Sequence, residues 1–202
     1  MPSKSSRRWL NEHFSDTYVK RAQQDHYRSR AVYKLLELHE RDQLFKPGMT
    51  VIDLGAAPGG WSQLLAKLVS PRGKVIALDM LPIEPIAGVD FILGDFSEEE
   101  TWAALSIKLG DAKADWVISD MAPNMSGNES IDIPRSLYLA EIALDFALKV
   151  LHAQGGFLVK IFQGEGFDTF LAQLKLHFKK VSIRKPKASR GRSKEMLSLI
   201  HI

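Results

Sequence analysis

The stretch Val51–Gln63 reads VIDLGAAPGGWSQ: an apolar run, a bend carrying Gly55, Gly59 and Gly60, and then residues that open a helix. A glycine-rich bend between strand and helix lets backbone approach a ligand closely. Where that ligand carries phosphates, the spacing is G-x-G-x-x-G and the helix N-terminus faces them. Here Ala57 stands where the second glycine belongs and Pro58 stiffens the bend, so a pyrophosphate ligand, and with it a nicotinamide-dependent dehydrogenase, is disfavoured. Asp79 closes the run VIALD, where an acid can accept hydrogen bonds from both hydroxyls of a ribose. Asp95 follows FILG at the end of the next run. Taken singly, each acid also reads as a helix cap or turn former. Lys160 sits inside GGFLVKIF: it is either a lysine snorkelling from a strand edge or one tuned by burial to handle a proton.

These residues need a frame. Short apolar runs (VIDLG, KVIALD, VDFILGD, DWVISD, GGFLVKIF) alternate with helical stretches: one after Gly59, then Glu98–Leu109, Pro134–Leu151 and Phe167–Phe178. Continuous rather than alternating apolar strands are those of a parallel sheet covered on both faces, and the alternation predicts a doubly wound α/β fold. The last two runs, KVSIRKP and EMLSLIHI, are joined by KASRGRSK, too short for a crossover helix, so they must pair antiparallel. Ahead of the core, Ser29–Leu44 has Val32, Leu35, Leu36 and His39 at helical spacing, with Ser29 placed to cap.

The chain of 202 residues has apolar material for one core, and a single domain is expected. Residues 1–46 form a basic helical extension and residues 47–202 the core. There is no cysteine, which removes disulfides, thiolate metal sites and cysteine nucleophiles. No apolar run of membrane-spanning length and no secretory leader are visible, and a cytoplasmic location is expected. The net charge of +3 hides an asymmetry: residues 1–46 carry +4, residues 47–178 carry −8 and residues 179–202 carry +7. Basic ends around an acidic middle fit a polyanion held by the ends while another ligand binds the centre. Arg7, Arg8, Lys20, Arg21, Arg28 and Arg30 on one side, and Lys179, Lys180, Arg184, Lys185, Lys187, Arg190, Arg192 and Lys194 on the other, are the candidate phosphate contacts. Trp9, Tyr27 and Tyr33 are candidates for base stacking, although aromatics at helical spacing are more often core.

The pattern hydrophobic-Asp-Leu-Gly-x-x-Pro-Gly-Gly resembles motif I of the class I methyltransferases, which bind S-adenosylmethionine. That resemblance implies a mostly parallel, seven-stranded Rossmann-like sheet with one antiparallel strand. It also implies cofactor contacts at Gly55, Gly59, Trp61, Asp79, Asp95 and Asp120, with Asp95 against the adenine edge. Methylation of a pyrimidine carbon normally uses a cysteine, and amino methylation an Asn/Asp-Pro-Pro-aromatic motif. This chain has neither, carrying Ser119-Asp-Met-Ala-Pro-Asn124 after its fourth strand, so an oxygen acceptor is the better candidate. A ribose 2′-hydroxyl must lose its proton as it attacks, and Lys160 is placed to help.

The stretches SRAVYKL, LFKPGMTVIDLGAAPGGWSQ, SDMAPNMSG, VKIFQGEGF and SRGRSKE, spanning about Arg7 to Glu195, resemble the FtsJ/RrmJ family of bacterial ribosomal RNA large-subunit 2′-O-methyltransferases. The family's Lys-Asp-Lys-Glu tetrad falls on Lys34, Asp120, Lys160 and Glu195; spacing alone singles out neither Lys34 nor Glu195. In such a set Lys34 should lower the pKa of Lys160, while Asp120 and Glu195 should raise it. The resemblance implies S-adenosylmethionine as cofactor, no metal, and a uridine of 23S rRNA within the large ribosomal subunit as target. Related tetrads serve transfer RNA and messenger RNA cap methylation. A non-catalytic RNA-binding assembly factor is the rival of another class, and a monomer is expected.

Overall fold

The computed structural model describes residues 16–96, 98–189 and 194–201. The expectations for Arg7, Arg8, Trp9, Arg190 and Arg192 lie outside these residues. The described elements are α1 (Thr17–Gln24), α2 (Val32–Asp42), β1 (Thr50–Leu54), α3 (Gly60–Val69), β2 (Lys74–Asp79), β3 (Val89–Leu93) and α4 (Glu99–Leu109). They continue with β4 (Ala114–Ser119), α5 (Glu129–Val150), β5 (Leu151–Phe162), α6 (Phe167–His177), β6 (Lys180–Arg184) and β7 (Glu195–His201). The seven strands form one sheet in the order β3-β2-β1-β4-β5-β7-β6. The pairs β1–β2, β2–β3, β1–β4 and β4–β5 are parallel, and β7 runs antiparallel between β5 and β6. The architecture is the expected doubly wound α/β sheet with one antiparallel strand. Strand order reverses beside β1, which places the ligand crevice at the carboxyl ends of β1 and β4.

Successive strand residues point to opposite faces, and this period builds two cores. Ile52, Leu54, Val117, Phe157, Val159 and Ile161 face one side with Leu144 and Phe146 of α5 and Phe170 of α6. Val51, Trp116, Ile118, Leu158 and Leu197 face the other, against Leu35 and Leu38 of α2 and Leu65 of α3. The second face matters for chemistry. One period beyond Ile118 lies Asp120, one beyond Leu158 lies Lys160, and one before Leu197 lies Glu195. All three are carried to the face that α2 covers.

Two helix boundaries differ from expectation. The helix expected over Ser29–Leu44 is α2, which begins at Val32 with Ala31 as its cap residue and no side-chain cap bond; Ser29 instead lies against Gly60, where a Cβ would meet its Oγ at 2.4 Å. The long helix begins at Glu129 rather than Pro134. Asn128 accepts from Ser130 N at 3.2 Å, and Glu129 and Asp132 lie in the first turn, so the cap and the macrodipole complement start the helix upstream of the proline.

Candidate active site

Four charged side chains from four distant segments meet at the carboxyl end of the sheet. Lys160 Nζ lies 2.7 Å from Asp120 Oδ1 and also donates to the Asp120 carbonyl. Lys34 Nζ lies 3.6 Å from the same carboxylate oxygen and 2.5 Å from Glu195 Oε1. The order is therefore Lys160, Asp120, Lys34, Glu195. Lys34 and Lys160 are each only 7% exposed, a burial that charges tolerate when they are paired. The antiparallel run of β7 explains the last member: Glu195 pairs with Phe162 at the exit of β5, so its carboxylate starts at the end of the sheet where β1, β4 and β5 finish.

The electrostatics fix two charge states. Burial would push Asp120 up, yet Lys160 and Lys34 hold its carboxyl below the ordinary value. Burial would lower Lys34, yet Asp120 and Glu195 hold it above the ordinary lysine value. At neutral pH Asp120 is a carboxylate and Lys34 an ammonium. Ser189 Oγ donates to Glu195 Oε1 at 3.3 Å and steadies the far end of the chain.

The glycine turn lies beside this row. Gly55 has φ +72°, and a Cβ there would meet Met121 Cγ at 2.4 Å; Gly59 has φ +100°, with Ile86 Cδ1 at 2.7 Å from its would-be Cβ. Asp79, half-buried, accepts from Ala57 N at 2.7 Å and from Leu81 N at 2.8 Å, tying the turn to the end of β2. A carboxylate has about four acceptor positions, so hydroxyl donors can add to these bonds. Asp95 lines an open cavity of about 750 Å³ with Leu93, Gly94 and Thr101 at the end of β3. The side chain of Trp61 is 3% exposed and its indole N–H donates to Ala31 O at 2.7 Å. It fastens α2 to the core, and what position 61 can offer a cofactor is backbone.

Beneath the turn lies a residue that sequence reasoning passed over. Asp53 is 1% exposed and accepts from Ser62 Oγ at 2.6 Å. Burial, with Asp120 and Asp79 adding repulsion against the Ser62 bond, pushes its carboxyl up to about 7. Asp132 was also missed. It accepts from Ser126 N, Ser126 Oγ and Gly127 N, each at 2.9 Å, and so anchors the loop that follows Asp120. An acid in a helix's first turn after SGN was the available signal. Tyr33 belongs to the core: it is 3% exposed and donates to Asp25 Oδ2 at 2.7 Å. Among the expected phosphate contacts, several cations are engaged within the protein. Arg30 binds Ala188 O at 2.5 Å and Asp16 at 3.0 Å, Arg184 forks onto Asp42 at 3.1 and 3.2 Å, and Lys194 meets Glu129 at 2.7 Å.

A seven-stranded sheet with β7 inserted antiparallel, a glycine turn after β1 and acids at the ends of β1, β2 and β4 define a Rossmann-like methyltransferase. The FtsJ-like methyltransferase family model matches residues 27–200, and the chain belongs to that family. It is 57% identical over 194 residues to the ribosomal RNA large subunit methyltransferase E of Hahella chejuensis, covering 96% of this chain and 94% of that one. A solved ribosomal RNA methyltransferase of Plasmodium falciparum superimposes with a TM-score of 0.77 at 29% identity, covering 87% of this chain and 97% of the other. An rRNA-methylase structure from Clostridium thermocellum shares the fold, with a TM-score of 0.57 at 20% identity over 84% and 97% of the two chains. Among the described residues no group of three or more His, Asp or Glu could hold a metal ion, and no helix is long and apolar enough to cross a membrane.

Proposed function

We propose that the protein transfers a methyl group from S-adenosylmethionine to a ribose 2′-hydroxyl of large-subunit ribosomal RNA, a 23S uridine being the expected target. The observation that carries this reading is the unbroken row Lys160, Asp120, Lys34, Glu195 beside the glycine turn. The cofactor fits the chemistry of the site: Asp79 and Asp120 flank the turn, a pair that favours a cationic sulfonium over a phosphate. When bound, S-adenosylmethionine supplies an electrophilic methyl group. Gly55 and Gly59 would hold its aminocarboxypropyl chain, Asp79 would take the ribose hydroxyls, and Asp95 would serve the adenine.

The protein's own groups then serve the acceptor. An ammonium has three N–H donors; Lys160 donates to the Asp120 carbonyl and is ion-paired with its carboxylate, which leaves a donor for the acceptor oxygen. Lys160 steers the 2′-hydroxyl as an ammonium, or takes its proton as the neutral amine. Asp120 holds Lys160 in place, and Lys34 with Glu195 positions the ribose. Orientation of the acceptor is the largest contribution, of order 7–11 kcal/mol where reacting groups are well aligned.

The relative's name and the basic ends support the RNA substrate: Lys20, Lys179 and Lys180 are exposed on the two basic segments. Incubation with labelled S-adenosylmethionine and purified large ribosomal subunits, followed by mapping of the product, tests the reading. Label on a single uridine ribose is expected. Lys160→Ala should abolish transfer while leaving cofactor affinity nearly unchanged; retained turnover removes Lys160 from its role. RNA affinity should fall with salt at a log-log slope of about −0.7 per phosphate contacted.

A further inference from the structure

Arg28 lies in the N-terminal basic segment, but its guanidinium is engaged by backbone carbonyls of the same chain. Nη1 donates to Glu84 O at 2.6 Å and Pro58 O at 3.4 Å, and Nη2 donates to Pro85 O at 2.9 Å. Pro58 belongs to the glycine turn; Glu84 and Pro85 belong to the loop that joins β2 to β3. That loop, LPIEPIAG from Leu81 to Gly88, contains two prolines without backbone donors. Among the described residues its internal closure is a single bond, Val89 N to Ile86 O at 3.1 Å. Its position therefore depends on outside contacts, and among the described residues these include Arg28, the Asp79 carboxylate at Leu81 N and Ile86 against Gly59.

We propose that Arg28 is a positioning residue for the cofactor: its planar fork fastens the β2–β3 loop to the glycine turn and so fixes the wall in which Asp79 presents its carboxylate. This rests on the reading of the turn as the S-adenosylmethionine site. A guanidinium suits the task because it offers five donors in one rigid plane, and three carbonyls converge on it here. Its own main chain is held independently: Gln63 of α3 accepts from Arg28 N at 3.2 Å and donates to His26 O at 2.9 Å. A change of the side chain thus leaves the backbone anchored and removes only the fork. The loop wall touches adenosyl chemistry and not the tetrad, so the effect belongs in cofactor affinity rather than in the methyl-transfer step.

The experiment compares wild type, Arg28→Met, Arg28→Lys and Ile86→Ala by calorimetric titration with S-adenosylmethionine, steady-state kinetics, and RNA binding across a salt series. Arg28→Met should raise Kd and KM for the cofactor about tenfold or more, since charge-assisted bonds are lost, with kcat at saturating cofactor within about twofold of wild type. Arg28→Lys should fall between the two, because one ammonium cannot span three carbonyls. Ile86→Ala, which changes no charge, should weaken cofactor binding in the same direction while RNA affinity stays put. Thermal unfolding of each variant separates loss of fold from loss of wall. The proposal is overturned if Arg28→Met binds cofactor like wild type, and most plainly if it also loses RNA affinity with a slope shallower by about 0.7, the mark of one phosphate contact. A wild-type protein that fails to bind S-adenosylmethionine would instead remove the cofactor reading itself.

Discussion

Asp53→Asn tests how the buried acid beneath the glycine turn is charged. Burial, with repulsion from Asp120 and Asp79, lifts the folded carboxyl from 3.8 to about 7 against the pull of the Ser62 bond. A folded pKa above the unfolded one means that the native state holds a proton the unfolded chain has released, so stability is full below about pH 4 and falls as pH rises toward 7. Each unit is worth about 1.36 kcal/mol. Between about pH 4.5 and pH 8 the wild type should lose about 3 kcal/mol from this group, nearly all of it before the folded carboxyl ionises. Asparagine keeps an acceptor for Ser62 and never ionises. Its extra N–H donors add a fixed cost of about 1–3 kcal/mol if unpaired, but a fixed cost has no pH slope. Urea unfolding of both proteins across that range should therefore show the variant gaining about 3 kcal/mol relative to wild type as pH rises. A difference that stays flat would mean that Asp53 ionises as a solvent-facing carboxylate does, and the burial argument would be wrong. Adding Asp120→Asn, which removes one repelling carboxylate, should shift the break in the curve to lower pH.

Gly55→Ala should destabilise by at least about 1–2 kcal/mol from the left-handed backbone alone, and crowding of Met121 should also weaken cofactor binding; denaturant titration and calorimetry would show both. Glu195→Gln should lower kcat by about tenfold or more with cofactor affinity intact, because the charge that grips Lys34 is removed. Arg184→Ala should cost about 1 kcal/mol at neutral pH. Arg184 holds Asp42 below its ordinary value, so this contribution is present above the unfolded carboxylate's pKa and disappears as acid protonates Asp42; equal loss at every pH would count against the pair. Asp132→Asn should release the Ser126–Gly127 loop, seen as faster amide exchange there and reduced turnover at unchanged cofactor affinity.

The strand-and-helix rhythm and the antiparallel ending are local properties, set by hydrophobic period and by a connection too short for a crossover, and the residues alone determined them. The glycine turn was likewise local, since its backbone conformation is written in the residue types between Asp53 and Trp61. The tetrad is different in kind. Lys160 stood out because a lysine interrupts an apolar strand, but Lys34 on a helix and Glu195 at a strand entry look like surface charge, and only likeness to a family marked them. What joins them is the pleat, which puts Asp120, Lys160 and Glu195 on the face that α2 covers, and the antiparallel course of β7, which delivers Glu195 to that end. The composition of the basic ends stated a net charge without stating its use. Arg28, Arg30 and Arg184 find carbonyls and carboxylates of the same chain, because a guanidinium's partners are chosen by distance in space. Trp61 and Asp53 changed meaning for the same reason: burial, which no single stretch of sequence specifies, made one a core anchor and the other an acid poised near neutrality.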